Sequence, residues 1–466
     1  MTTILLLNPP SPEGFMRTGR WTSQTRANQS WTPIHLAYCT GFLDQHGFNC
    51  GLLDASVKNM SYEEAYLYIT RVLTPDIIFY YWCYDNITSD LAYADRLALH
   101  SKVILVGPWS LCAPEALLLT KRINIMTYGE FEYTCLELLQ DIHYTNIKGI
   151  IWRNHIDNTI HTNPPRPLCT PQELDDMPFV SETYKNFLDL KLYRQTSFKH
   201  PFLDLFTARG CPNACSYCTW IRAFQGGPSY RARSIKNVIE ELWWIKNNLP
   251  EIKQIFFQDD TLPSKRAIEL SQAIIDENLN ICWGGYSRAE QSLETLELMR
   301  ESGCETLHIG YESISDKTLS IIKKGITFEQ IQTFTQNLNK SGISYCAGFM
   351  IFPWQTKEEI YQLIKFVKKN ISPRVHTRFS FAHLLAYPNT PICQTLKDFA
   401  EHPDIMFFNE KPVKLLSEKE MIELEKKGFI EFYIKNPKWW LTIATHPKEW
   451  RKTWKDAVGL IKFLQK

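Results

Sequence analysis

The sequence predicts an α/β protein in three successive parts: a doubly wound parallel sheet, a barrel of repeated strand and helix pieces, and a mostly helical C-terminal region. Three observations predict it. Short apolar runs alternate with amphipathic stretches of helical length from residue 4 onward. The alternation pauses in a proline-rich stretch near Pro164, Pro165 and Pro167 and then restarts, and it fades after about Tyr387. A chain of 466 residues also exceeds what one core supports, so more than one domain is expected.

In the first part, Ile4 to Leu7 forms a buried strand ending at Asn8, and Pro33 to His46 has helical periodicity closed by Gly47. Cys50 to Leu53 is a strand, Tyr62 to Leu73 a helix, Asp76 to Trp82 a strand, Ser89 to His100 a helix and Val103 to Val106 a strand. Ligands of such sheets lie beyond the carboxyl ends of the strands. Those ends are Asn8, Asp54, Tyr81 to Asp85, Gly107 to Ser110, and Gly129 with Glu130. The part spans residues 1–145.

Residues 146–200 read as a linker, with Pro171 and Pro178 beyond the proline loop. Gly149 to Trp152 and Thr159 to His161 are placed to pair as a small hairpin about His155 to Asn158. The barrel covers 201–386, with strands expected at Leu203 to Thr207, Gln254 to Gln258, Ile281 to Gly285, Thr306 to Gly310, Tyr345 to Ile351 and Arg378 to Leu385. Its helices are expected at Ser234 to Asn248, Ser264 to Glu277, Ser292 to Ser302, Phe328 to Lys340 and Lys357 to Lys369, with Gly303 and Gly342 as C-caps. Residues 387–466 form the helical region, where FYIKNPKWW, HPKEWRKTWK and GLIKFLQK present aromatics that pack on the barrel or form a basic aromatic surface. Membrane contact is expected only through this tail, without a spanning segment.

Composition narrows the function classes. Apolar residues make up 44% and charged residues 22%, ordinary for a soluble globular chain, and a net charge of +1 removes any general electrostatic case for nucleic acid. The 13 cysteines are odd in number and scattered, which points to a reducing cytoplasm rather than a disulfide framework. Met1 to Pro10 has a short apolar run without a basic n-region, so it is neither a signal peptide nor a membrane span.

The densest chemistry lies in Arg209 to Trp220, RGCPNACSYCTW, where Cys211, Cys215 and Cys218 stand in C-x3-C-x2-C spacing. Three close thiolates ask for a soft metal. Zinc sites usually close with a fourth nearby Cys or His, whereas the next cysteine, Cys282, is far downstream. One coordination position is therefore open, as it would be on a [4Fe-4S] cluster with three protein ligands. The plainer alternatives are a structural metal knuckle or three unrelated cysteines.

With Tyr217 just before its third cysteine, this run resembles the signature of the radical S-adenosylmethionine (SAM) superfamily. The resemblance implies that Cys211, Cys215 and Cys218 ligate three irons and that SAM takes the fourth. It also implies a partial (β/α)6 barrel. TPIHLAYCTGFLDQHGF, LLDAS, LVGPWS and YGEFEYTCLELL are similar to the Rossmann-like cobalamin-binding domain that precedes the barrel in one large subfamily. Asn8, Asp54, Gly107, Ser110 and Glu130 are its implied cobalamin contacts. A histidine-ligating domain would carry D-x-H-x-x-G, but Asp44-Gln45-His46-Gly47 has the wrong spacing, so no lower axial His is expected. The alternative is a Rossmann-like domain that holds no cofactor and docks or recognises substrate. GCPNACSYCTW, GGPSYRARSIKNVIEEL, FFQDDT and HIGYES are most similar to the radical enzymes associated with hopanoid biosynthesis, which suggests a polyol or lipid-linked substrate.

The remaining implied SAM contacts sit at consecutive strand ends. Asp259 and Asp260, in FFQDDT, suit the SAM ammonium, or alternatively cap the helix near Ser264. Arg288 in YSRAE suits the carboxylate and Glu312 in IGYES the ribose hydroxyls, while Tyr217 packs near adenine or serves as a core aromatic. Met350 to Trp354, MIFPW, departs from the Gly-x-Pro-Gly turn of relatives, and its adenine contacts stay open. Cys282, Cys304 and Cys346 form no second closely spaced set and are expected as buried small hydrophobes.

The expected function is a cobalamin-dependent radical SAM enzyme that methylates or remodels an unactivated carbon skeleton, with a reducing partner such as flavodoxin or ferredoxin. One alternative keeps the radical step but carries out cyclisation, ring contraction or carbon-carbon coupling without methyl transfer. Another, from a different class, is a noncatalytic metal-cluster scaffold.

Overall fold

A computed structural model describes residues 2–12, 15–17, 23–24, 29–140, 142–154, 156–372, 377–401, 407–408, 411–412 and 416–445. The chain divides into two compact units. One comprises Met1–Gln195, Pro201–Leu205 and Thr219–Ile252; the other comprises Thr196–His200, Phe206–Cys218 and Lys253–Lys466.

The first unit is organised by strand β1, Thr3–Asn8, whose run of leucines is fully buried as a central parallel strand requires. Helix α1 (Ile34–Gln45) leads to β2 (Asn49–Asp54). Helix α2 (Tyr62–Tyr68), opened by a Ser61–Glu64 capping box, leads to β3 (Ile77–Tyr81). Helix α3 (Ile87–Leu97) then leads to β4 (Lys102–Val106), followed by β5 (Ile125–Thr127) and helix α4 (Glu132–Leu139). With β6 (Ile150–Arg153) and β7 (Ile160–Thr162), the sheet runs β2-β1-β3-β4-β5-β6-β7. The pairs from β2 to β5 are parallel and the last two antiparallel. Asn8 and Asp54 are in register at adjoining strand ends.

Residues 146–195 of the stretch expected as a linker are built into this unit, and Thr196–His200 belong to the other. The expected hairpin forms as β6 and β7, and Ile150 and Ile151 are buried because β6 pairs with β5 and continues the sheet. His155 of the turn lies outside the described residues. Two further helices, α5 (Pro171–Asp176) and α6 (Val180–Phe187), were not legible. α6 lies close on α1, where a Cβ on Gly41 would come within 2.5 Å of Thr183 Oγ1. Helices α7 (Trp220–Gln225) and α8 (Ile235–Asn248) also fall in this unit's residues.

The second sheet has six strands in sequence order, as expected of the partial barrel. They are β8 (Phe202–Leu205), β9 (Gln254–Phe257), β10 (Trp283–Arg288), β11 (Cys304–Glu312), β12 (Ser344–Ile351) and β13 (Arg378–His383). From β9 to β13 every pairing is parallel. The intervening helices are α9 (Ser264–Asp276), α10 (Leu293–Glu301), α11 (Asp316–Ile321), α12 (Phe328–Ser341) and α13 (Lys357–Asn370). Thr327–Gln330 and Thr356–Glu359 capping boxes start α12 and α13. Gly303 takes φ +96° directly before β11, and a Cβ there would meet the Ile281 carbonyl oxygen at 2.0 Å, so only glycine fits. Gly342 takes φ +81° as the C-cap of α12.

The C-terminal part is mostly helical, with α14 (Pro391–Glu401), α15 (Glu418–Phe429) and α16 (Pro437–Ala444). Aromatics of FYIKNPKWW do pack on the barrel: Phe432 lies 5.3 Å from Phe379 of β13, centroid to centroid. Trp440 and Leu441 stay exposed. HPKEWRKTWK and GLIKFLQK lie outside the described residues. No helix among the described residues is long and apolar enough to cross a membrane.

Candidate functional site

The cysteine loop follows β8, and its approach is held from β9. Asp259 is buried, and its carboxylate accepts hydrogen bonds from the backbone N–H of Thr207 (2.7 Å) and Ala208 (3.0 Å) and from the Thr207 hydroxyl (2.5 Å). Burial raises this carboxyl to about 6 against the pull of those donors. Asp260 accepts from the Gly210 N–H at 3.0 Å, directly before Cys211. Both aspartates therefore bind backbone of the segment that delivers the thiols. Neither caps α9, whose N-terminus has no side-chain cap.

Cys211, Cys215 and Cys218 are all buried. Asn213 Nδ2 donates toward Cys211 Sγ at 3.4 Å, and Arg288 Nη1, from the end of β10, toward Cys215 Sγ at 3.8 Å. N–H donors aimed at sulfur suit thiolates rather than inert buried thiols. Among the described residues no three His, Cys, Asp or Glu groups gather about a single-ion position. A four-iron cluster asks for something else, one thiolate at each of three irons, and three buried thiols with N–H donors on two of them fit that demand.

Three strand ends converge on this loop. Arg288 is buried; its Nε donates to Glu290 at 3.1 Å and its Nη2 to the Lys324 carbonyl. Glu312 ends β11 with φ +64°, at a register shift between Gly310 and Glu312 against β12. A bulge re-aims a side chain at the cost of a left-handed backbone that a glutamate rarely adopts. Its Oε1 accepts from Lys324 Nζ at 3.0 Å. The Tyr217 hydroxyl neighbours the same carboxylate, and its pKa is pushed well up by burial first and by the Glu312 charge second. Tyr217 also meets Phe352 of MIFPW edge-on, with centroids 6.3 Å apart, so that segment packs behind the cysteine loop despite lacking the glycine turn.

Sequence reasoning missed Lys324, which looks like an ordinary member of the charged pair Lys323–Lys324 and is in fact buried. The only sequence hint is the Gly325 that follows it. It also missed Ser216, whose N–H donates to the Ile322 carbonyl at 2.9 Å and pins the cysteine loop to the turn carrying Lys324.

In the first unit the expected strand-end residues divide into two kinds. Asp54 accepts from Asn8 Nδ2 at 2.7 Å, from the Tyr193 hydroxyl at 2.9 Å and from the Val57 N–H at 3.1 Å, and burial raises its pKa. Glu130 is bound by Arg231 at 2.8 and 2.9 Å and by the Cys169 N–H at 2.9 Å. Those carboxylates are engaged within the unit. Gly107, by contrast, takes φ +126°, and a Cβ there would stand 3.3 Å from the Tyr81 ring. Ser110 Oγ, Trp82 Nε1, the Tyr81 hydroxyl and Thr127 Oγ1 are buried with no hydrogen-bond partner among the described residues. Orphaned donors at the carboxyl ends of β3, β4 and β5 fit a bound polar ligand, since an unmet buried polar group is costly. His46 is exposed at the end of α1, with Nδ1 2.7 Å from the Phe42 carbonyl oxygen.

The comparisons agree with this geometry. A model of the radical SAM superfamily matches residues 205–367. An uncharacterized methyltransferase of Pyrococcus horikoshii, PH0819, is 30% identical over 93% of this chain and 92% of its own length. The bacteriochlorophyllide d C-12(1)-methyltransferase of Chlorobaculum tepidum is 27% identical over 72% of this chain and 70% of its own. Among solved structures, the cobalamin-dependent S-adenosylmethionine radical enzyme OxsB, with aqua-cobalamin and S-adenosylmethionine bound, superposes with a TM-score of 0.68 at 15% identity, covering 92% of this chain and 66% of that one. The radical S-adenosylmethionine methyltransferase TsrM from Kitasatospora setae, with cobalamin and a [4Fe-4S] cluster bound, gives 0.63 at 16% identity, covering 87% of this chain and 76% of that one. A relative at 30% identity over nearly the full length, together with three buried cysteines in the family's spacing, establishes that this chain belongs to the radical SAM superfamily.

Proposed function

We propose that the protein is a cobalamin-dependent radical SAM methyltransferase acting on an unactivated carbon. The observation that supports it most is the gathering of Arg288, Tyr217 and Glu312 about three buried cysteines, with Arg288 Nη1 3.8 Å from Cys215 Sγ. Cys211, Cys215 and Cys218 would hold the cluster. Arg288 would face the SAM carboxylate, Glu312 the ribose hydroxyls and Tyr217 the adenine side. Asp259 and Asp260 would act on the amino group only by fixing the loop beside it, because both bind backbone N–H groups.

When bound, the cluster and SAM supply a 5'-deoxyadenosyl radical and cobalamin supplies a methyl carrier. The orphaned Ser110, Trp82 and Thr127 atoms and the close backbone at Gly107 support cobalamin binding in the first unit, with Asn8 and Asp54 as a preformed polar pair beside them. Similarity of GCPNACSYCTW and HIGYES to the hopanoid-associated enzymes supports a polyol or lipid-linked substrate. The electron would come from a flavodoxin or ferredoxin, in a compartment such as the cytoplasm that keeps the thiols reduced.

The test is anaerobic purification with hydroxocobalamin and cluster reconstitution. We expect roughly four irons and about one cobalt per chain, followed by formation of both 5'-deoxyadenosine and S-adenosylhomocysteine from SAM. 5'-Deoxyadenosine without S-adenosylhomocysteine would replace methylation by cyclisation, ring contraction or carbon-carbon coupling. A fully loaded cluster that leaves SAM intact would make the protein a scaffold.

A further inference from the structure

Lys324 is a buried lysine attached to two strand-end side chains. Its ammonium donates to Glu312 Oε1 at 3.0 Å, and its carbonyl accepts from Arg288 Nη2. It thus joins the ends of β10 and β11. The turn that presents it is held on both sides: the Lys324 N–H donates to the Leu319 carbonyl at 2.9 Å, and the Ile322 carbonyl accepts the Ser216 N–H of the cysteine loop at 2.9 Å.

The backbone around this pair is unusual in three places. Lys323 has φ +51°, Gly325 φ +74° and Glu312 φ +64°. Left-handed conformations at two non-glycine residues persist only where the surroundings over-determine them, and such sites concentrate where geometry serves function. A lysine is also rarely buried without a partner that offsets its desolvation. The Lys324 ammonium and the Tyr217 hydroxyl both meet the Glu312 carboxylate, and the charge-assisted bond from Lys324 restrains its rotamer in the orientation that would face a ligand hydroxyl.

We propose that Lys324 is a positioning residue for SAM: it fixes Glu312 through its ammonium and Arg288 through its carbonyl, setting the ribose-facing and carboxylate-facing groups as one unit. This rests on the reading of the site as a SAM site. The ammonium acts through Glu312, so its loss weakens SAM binding more than turnover at saturation.

The test uses the full reconstituted holoenzyme and SAM as the probe. Lys324→Gln is expected to retain its iron, to raise the SAM Kd and KM by about tenfold, as loss of one charge-assisted bond implies, and to keep kcat for 5'-deoxyadenosine formation near wild type. Lys324→Arg is expected to recover much of the affinity. In a Glu312→Gln background, Lys324→Gln should add almost nothing, because both changes remove the same interaction. Should Lys324→Gln fail to fold, Lys324→Met, with an apolar stem of similar length, replaces it. A wild-type SAM affinity left unchanged by either variant, or fully additive losses with Glu312→Gln, overturns the proposal alone. A loaded wild-type enzyme that binds no SAM overturns the functional reading and the proposal with it.

Discussion

Arg288 Nη1 points at Cys215 Sγ from 3.8 Å, so a strand-end cation lies against one of the three thiols of the loop. The contact joins residues 73 positions apart in sequence, which share a site only because β10 ends beside the cysteine loop. Hydrogen bonds to cluster sulfurs raise reduction potential, and a buried positive charge acts in the same direction. Replacement of Arg288 by Met should therefore make the reconstituted cluster harder to reduce, with a lower midpoint in an EPR-monitored redox titration. An unchanged midpoint would limit Arg288 to ligand binding.

Changing Cys211, Cys215 or Cys218 singly to Ala removes one of three thiolates. Each variant should lose most of its iron and sulfide while its far-UV circular dichroism stays native, because the two sheets and their helices do not depend on the loop for their pairing. Cys282→Ala and Cys304→Ala should keep full iron. A variant of the three that retained a full cluster would remove that cysteine from the ligand set.

Ser110 Oγ is fully buried and unpartnered among the described residues, so Ser110→Ala removes a polar atom that gains nothing in the empty protein. Without ligand, stability should be unchanged or higher by about 1 kcal/mol. Cobalt retained after gel filtration should fall. Equal cobalt retention in wild type and variant would exclude Ser110 from the cofactor contacts.

Asp204 is one of the fully buried carboxylates of the first unit's residues. The Thr32 hydroxyl donates to Oδ1 and in turn lies 2.8 Å from the Tyr184 hydroxyl, while Oδ2 has no partner among the described residues. Burial raises the carboxyl to about 7. A folded-state pKa above the unfolded value means that the native state holds the extra proton, so stability falls as pH rises from about 4 to about 7 and stays lower above that. Asp204→Asn keeps the acceptor for Thr32 without the charge. It should raise the melting temperature at pH 8 by an amount corresponding to no more than about 4 kcal/mol, and change it little at pH 4. An equal effect at both pH values would mean that ionisation is not what costs stability there.

Much of the fold was legible because it depends on local periodicity. The leucines of β1, the amphipathic helices α8 to α10, α12 and α13, and the glycine cap at Gly342 all follow from residues close in sequence, while at α10 the cap is Ser302 and Gly303 is the residue after it. α5 and α6 were not legible, since prolines at Pro171 and Pro178 suggest a loop, whereas Pro171 is the first residue of α5 behind a Thr170–Glu173 capping box.

By itself the sequence determined the cysteine spacing, the order of strands and helices, and which residues end each strand. Those are properties of residues near one another along the chain. Only the tertiary structure decided how the strand-end groups are used. Asp259 and Glu130 became internal anchors because backbone N–H groups and Arg231 reach them first, and Lys324 entered the site because a left-handed turn carries it inward to Glu312. A carboxylate's partners come from distant segments, and their desolvation and geometry are set only when those segments pack.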